Sequence, residues 1–235
     1  MKIKIIDTGN ANLLSLYRAV KLFESNVEIS SNPKEIVKAD KIFLPGVGAF
    51  KNCINNLKFK GIFDTLKDIE KEQIPIMGIC LGMQILFNNS NEFGDTEGLG
   101  LIKGDIKNLS IINSEKKFKI PSIGWIQTIS NKNFKNISNI IENKFYFVHS
   151  YYAVNIDEKN LVSYYFLNKN KIPAIVKKDN IIGCQFHPEK SSKQGLKIIE
   201  NFLKDNLWVY EKILYFYKFR TGPKKFREIW YKDFT

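Results

Sequence analysis

Histidine and cysteine are scarce in this chain. Among 235 residues there are two histidines, His149 and His187, and three cysteines, Cys53, Cys80 and Cys184. An odd number of cysteines at wide spacing argues against a disulfide framework and against a zinc site, so no metal is expected. Any reaction that needs an imidazole must choose between two residues. Long hydrophobic runs are missing too: no apolar stretch reaches the roughly 20 residues of a membrane-crossing helix. The opening, MKIKIIDTGN, carries no secretory pattern and reads as a first strand. The expectation is a cytoplasmic protein that does not engage membranes. Acidic residues are the minority, 24 against 36 lysines and arginines, for a net charge of +12. The basic residues are mostly lysines spread along the chain among Asn and Ile, and no recognition-helix or RNA-binding signature accompanies them. The charge reads as a solvated basic surface, with no nucleic acid as partner.

What is present is a globular composition, 44% hydrophobic and 26% charged, on a chain long enough to bury a substantial core. In the first third, strand-like runs alternate with amphipathic ones. KIKIID, ADKIFLPG and IPIMGI read as strands; NLLSLYRAVKLF, IFDTLKDIEKE and a stretch from Gly82 to Asn88 read as helices. That alternation predicts a parallel sheet with helices on both faces. From GLIKGDIKNL to IIGCQF, strand follows strand with turn residues between, as in hairpins added to the core. The helix KQGLKIIENFLKDNL closes the domain. The fold class is therefore α/β: a mostly parallel central sheet with flanking helices and added antiparallel hairpins. One domain spans 1–206, and 207–235 forms an aromatic, basic C-terminal extension.

Chemistry concentrates in two segments. GICLG, residues 78–82, has the form Gly-x-Cys-x-Gly, a nucleophile elbow with sulfur in place of oxygen. A tight strand-to-helix turn leaves no room for flanking side chains, lifts Cys80 off the sheet edge and sets it at a helix N-terminus, where thiolate is favoured. The N–H of Leu81 would face a developing oxyanion. Alone, the pentapeptide is equally compatible with a buried structural thiol. IIGCQFHPEKS, residues 181–191, supplies a base: His187 sits at the carboxyl end of a strand, where open α/β sheets gather catalytic groups, and Glu189 lies two residues on to orient it. The loop in IFLPGVGAF, with Gly46 and Gly48, follows a neighbouring strand and can offer a second N–H.

Together LPGVGAF, GICLGMQILF, FVHSYYAV and GCQFHPEKS resemble, in order and spacing, the class I (triad-type) glutamine amidotransferases. DTGNANLLSL, PGVGAF and HPEKSS narrow the resemblance to the glutaminase subunits of imidazole glycerol phosphate synthases, over about residues 1–204. The resemblance implies that Cys80 attacks the glutamine side-chain amide, that His187 serves as acid and base, and that Glu189 orients it. Val47, Gly48 and Leu81 would line the oxyanion site. Gln84, Glu92 and the backbone of His149, Ser150 and Tyr151 would hold the substrate. Ammonia would pass to a separate (β/α)8-barrel cyclase, forming imidazole glycerol phosphate and an aminoimidazole carboxamide ribotide, with Trp125, Tyr146 and Lys190 near that interface. No cofactor is implied.

Two departures stand out. Where the family usually shows Pro-His-Met-Gly-Trp-Asn, this chain has PSIGWIQ, with Ser122 for the His and Ile126 for the Asn. The chain also runs about thirty residues past the family's usual end. Two other readings remain beside the first: a paralogous glutaminase that feeds amidine formation on a surface sugar, which the altered PSIGWIQ fits, and a non-catalytic binding module, against which the intact Cys80, His187 and Glu189 count.

Overall fold

The computed structural model describes residues 1–205 apart from Asn10 and Lys116; the extension expected at 207–235 lies outside the described residues. In chain order the strands are β1 (Ile3–Ile6), β2 (Val27–Ser30), β3 (Lys41–Gly46), β4 (Ile76–Cys80), β5 (Asn89–Ser90), β6 (Thr96–Glu97), β7 (Asp105–Asn108), β8 (Ser122–Gln127), β9 (Ile129–Ser130), β10 (Lys144–His149), β11 (Tyr151–Val154), β12 (Leu161–Leu167), β13 (Asn170–Lys178) and β14 (Ile181–Cys184). The helices are α1 (Leu13–Lys21), α2 (Pro33–Ile36), α3 (Phe50–Phe59), α4 (Ile62–Lys71), α5 (Leu81–Gln84), α6 (Ser138–Ile141) and α7 (Ser192–Leu203).

The main sheet runs β2-β1-β3-β4-β14-β13-β12-β9. Its first five strands are parallel, and β13, β12 and β9 continue it antiparallel. This is the expected mixed sheet. Strands β1, β3, β4 and β14 are buried along their whole length, as parallel strands covered on both faces must be. Their side chains alternate between two cores. Ile3, Ile5, Phe43, Met77 and Ile79 pack with Leu16 and Val20 of α1 and Ile198, Ile199 and Phe202 of α7. Ile6, Ile42, Leu44 and Ile76 pack with Phe50, Ile54 and Leu57 of α3 and Ile62, Phe63, Leu66 and Ile69 of α4. Buried Lys41, at the start of β3, donates to the carbonyls of Phe202 (2.8 Å) and Leu203 (2.7 Å), so its ammonium satisfies the open end of α7.

One local expectation changes, and two features lie beyond what was expected. The helix expected over Gly82–Asn88 ends at Gln84, because the next carbonyls are taken by a returning loop: the N–H groups of Leu99, Leu101 and Gly100 donate to Ile85, Leu86 and Phe87 at 2.8, 2.8 and 3.0 Å. The run KFYFVHSYYAV does not form one strand; it breaks at Ser150, with β10 pairing β8 and β11 pairing β7 in a different small sheet. Helix α3 was not expected, although Phe50, Cys53, Ile54 and Leu57 recur at helical spacing and are buried.

Candidate active site

The elbow forms as the glycines predict. Cys80 ends β4 with φ 54° and ψ −110°, a conformation that L-residues seldom adopt. Close packing enforces it. A Cβ on Gly82 would lie 1.7 Å from the Leu44 carbonyl oxygen, and one on Gly78 would lie 2.6 Å from the Gly82 oxygen. Both distances are far inside contact, so only glycine lets the turn lie against β3. Since α5 is a single turn, what the chain offers the thiol there is the first free N–H of that turn, at Leu81, rather than the field of a long helix.

Parallel pairing sets Gly46, the last residue of β3, beside Cys80. The loop carrying Val47 and Gly48 therefore leaves the sheet next to Cys80. Gly48 has φ +93° and Val47 is partly exposed. Behind the loop, Glu92 accepts from the Phe50 N–H at 2.6 Å and supplies the N-terminal cap that α3 otherwise lacks. In this structure Glu92 thus braces the loop from a nearly buried position.

His187 follows β14, the neighbour of β4, and is 4% exposed. Its Nδ1 lies 2.8 Å from Glu189 Oε1, which leaves Nε2 for the thiol. Glu189 Oε2 is buried with no hydrogen-bond partner among the described residues, so the carboxylate's charge is directed at the imidazole. Burial alone would lower the His187 pKa, but hydrogen bonds and charge from Cys80 and Glu189 outweigh it and raise the pKa to about 10. The segment is pinned from β10: the His187 N–H donates to the Tyr146 carbonyl (3.0 Å), the Tyr146 N–H donates to Ser191 Oγ (2.9 Å), and that hydroxyl donates to the His187 carbonyl (2.7 Å). Helix α7 presses on the same turn; a Cβ on Gly195 would meet the Pro188 oxygen at 2.0 Å.

The second histidine differs. Burial holds His149 down to a pKa of about 4, so it is neutral at ordinary pH. Its Nδ1 is 2.8 Å from the Tyr151 carbonyl, which can only accept, and this fixes the proton on Nδ1. Its Nε2 therefore accepts from the Tyr165 hydroxyl at 2.9 Å, and Tyr165 in turn lies 3.3 Å from Ser122 Oγ. Ser122, the departure from the usual family pattern, is thus a buried member of a closed polar chain. Tyr151 O also accepts from Gln84 Nε2 at 3.0 Å, while Ser150 O accepts from the Leu109 N–H at 2.8 Å.

Sequence reasoning missed Gln185. It is fully buried, its Oε1 accepts from Gln84 Nε2 at 3.1 Å, and its Nε2 reaches Cys80 Sγ at 3.9 Å. Its place two residues before His187 was the only available signal. On the outer face of the β8–β10 pair, Trp125 is half exposed and meets Tyr146 edge to face at 6.1 Å, while Ile126 packs inward on the core. Lys190 is exposed on the turn after His187. The other thiols are buried; burial pushes Cys53 up to about 12, and burial together with the charge of Glu189 raises Cys184 as well. Among the described residues no cluster of His, Cys, Asp and Glu could hold a metal, and no helix is long and apolar enough to cross a membrane.

The family model for glutamine amidotransferase class-I matches residues 4–206. Imidazole glycerol phosphate synthase subunit HisH 1 of Legionella pneumophila (strain Lens) is 38% identical over 209 residues, 86% of this chain and 98% of that protein. Subunit HisH of Sulfurimonas denitrificans is 40% identical over 204 residues, 86% of this chain and 97% of that protein. A crystal structure of a glutamine amidotransferase matches with a TM-score of 0.66 at 13% identity, over 87% of this chain and 98% of the other, a likeness of fold.

Proposed function

The chain belongs to the class-I glutamine amidotransferase family, and from that premise we propose how its residues carry out the reaction. The chain is the glutaminase subunit of an imidazole glycerol phosphate synthase of histidine biosynthesis, as its relatives' names imply. Cys80 attacks the side-chain amide carbon of glutamine, with its proton held on His187. The tetrahedral oxyanion is stabilised by the N–H groups of Leu81 and of the Val47–Gly48 loop. His187 then protonates the leaving nitrogen, and ammonia departs from a γ-glutamyl thioester on Cys80. Neutral His187 next takes a proton from water, the hydroxide opens the thioester, and glutamate leaves. Glu189 keeps the imidazole oriented throughout, and Gln84 and Glu92 line the substrate pocket with the backbone of residues 149–151. Ammonia passes to a barrel-type cyclase docked near Trp125, Tyr146 and Lys190.

The single observation that carries this reading is the pairing of a strained Cys80 with a buried His187 whose other nitrogen is held by Glu189 at 2.8 Å. It also speaks against a non-catalytic module, which would have no need of that strain. The experiment is a glutaminase assay of the full chain with and without the cyclase of the same genome, and with and without the cyclase's nucleotide ligand. Weak hydrolysis alone and strong stimulation by the liganded cyclase are expected. Oxyanion donors change rate by about a hundredfold or more each, so a partner that sets the Val47 N–H toward the oxyanion is enough for the effect. Strong activity that no partner alters overturns the coupling, and stimulation only by a sugar-modifying system moves the function to the amidine-forming alternative.

A further inference from the structure

We propose that Gln185 is a catalytic residue of this enzyme, a fixed N–H donor to the sulfur of Cys80, and that Gln84 is the positioning residue that orients it. The proposal rests on Cys80 being the nucleophile. Its basis is the direction of each hydrogen bond. The Tyr151 carbonyl is acceptor-only, so the group of Gln84 that faces it at 3.0 Å must be the NH2. The same nitrogen approaches Gln185 at 3.1 Å, so Gln185 must present its oxygen there. A flipped Gln185 would set donor against donor in a fully buried site. The Gln185 NH2 is thereby left facing Cys80 Sγ at 3.9 Å.

The sulfur needs such a donor. Sγ also lies 3.9 Å from the Val148 carbonyl oxygen, a dipole whose negative end opposes a thiolate. A neutral thiol can donate to that carbonyl, but a thiolate cannot. Gln185 acts in the opposite sense, since its N–H favours the anion over the thiol. Because Gln185 is locked through Gln84 and Tyr151 into β11, and its own N–H donates to Ala174 O at 2.9 Å, the donor needs no reorganisation as the thioester forms and breaks.

The test compares Gln185→Met, which keeps the volume and removes both polar groups, with Gln185→Glu, which keeps the acceptor for Gln84 and loses the donor. Both are made in the full chain with its cyclase partner present, and both are checked for wild-type thermal unfolding. The first readout is the rate at which iodoacetamide alkylates Cys80 at neutral pH, followed by peptide mapping. The second is steady-state glutamine hydrolysis. A donor to a charged group accounts for about tenfold, so alkylation should slow by about that factor and kcat should fall by at least as much, with KM within about threefold. If Met at 185 does not fold, the Glu variant carries the comparison. Wild-type alkylation in a folded variant, or a raised KM at unchanged kcat, overturns the proposal. Failure of the underlying assignment looks different: Cys80→Ala would then remain active whatever stands at 185.

Discussion

Removing the Cys80 sulfur should pull the pKa of His187 down, and the two-histidine composition makes this directly measurable. In the intact chain His187 is raised from an ordinary 6.5 to about 10. At about 1.4 kcal/mol per pH unit, that is a preference of roughly 5 kcal/mol for the imidazolium, won against burial by Cys80 and Glu189 together. Stability from this source is fully present below the unfolded value of 6.5 and is lost as pH rises through about 10. In Cys80→Ala the sulfur's hydrogen bond and charge vanish while burial and Glu189 remain. An opposite charge at such range moves a pKa by about one to three pH units, and the His187 midpoint should fall by that amount. The assay is NMR titration of the imidazole nitrogens in the wild-type and Cys80→Ala chains. His149, held near 4 by burial, is the internal reference and should stay neutral above that pH in both. A wild-type His187 that titrates near 6.5, or a midpoint that the alanine leaves in place, would refute the reasoning.

Other consequences follow from packing and hydrogen bonding. Gly82→Ala would drive a methyl group to 1.7 Å from the Leu44 oxygen; unfolding in urea should show a loss at or beyond the usual overpacking cost of about 3 kcal/mol. Tyr165→Phe would leave His149 Nε2 and Ser122 Oγ without their shared partner, so thermal and urea unfolding should report a loss of about 1–3 kcal/mol with kcat little changed. His187→Ala should abolish turnover, whereas Glu189→Gln should leave a measurable residue, read by single-turnover kinetics at saturating glutamine.

The elbow was legible because its constraint is local. Gly78 is required by the turn's own backbone at Gly82 and Met83, Gly82 by the Leu44 backbone one strand away, and no other residue type satisfies them. The parallel core was legible because β1, β3, β4 and β14 are buried on both faces and read as continuous apolar runs. Features decided by distant partners were not. The length of α5 is set by N–H groups from Gly98 onward, and the break at Ser150 by two different partner strands. Gln185 stood in the open beside His187, yet its role depends on a hydrogen-bond direction inherited from Tyr151 through Gln84. Ser122, a departure in sequence, becomes intelligible only against Tyr165 and His149, which lie elsewhere in the chain.

Trapping the acyl intermediate tests the central claim most directly. The chain, reconstituted with its liganded cyclase, is mixed with labelled glutamine, quenched in acid within one turnover, digested and mapped by mass spectrometry. A glutamyl adduct on the peptide carrying Cys80, enriched in Glu189→Gln and absent in Cys80→Ala, is the predicted result. An adduct on Cys53 or Cys184, or full turnover by the Cys80→Ala chain, would contradict it.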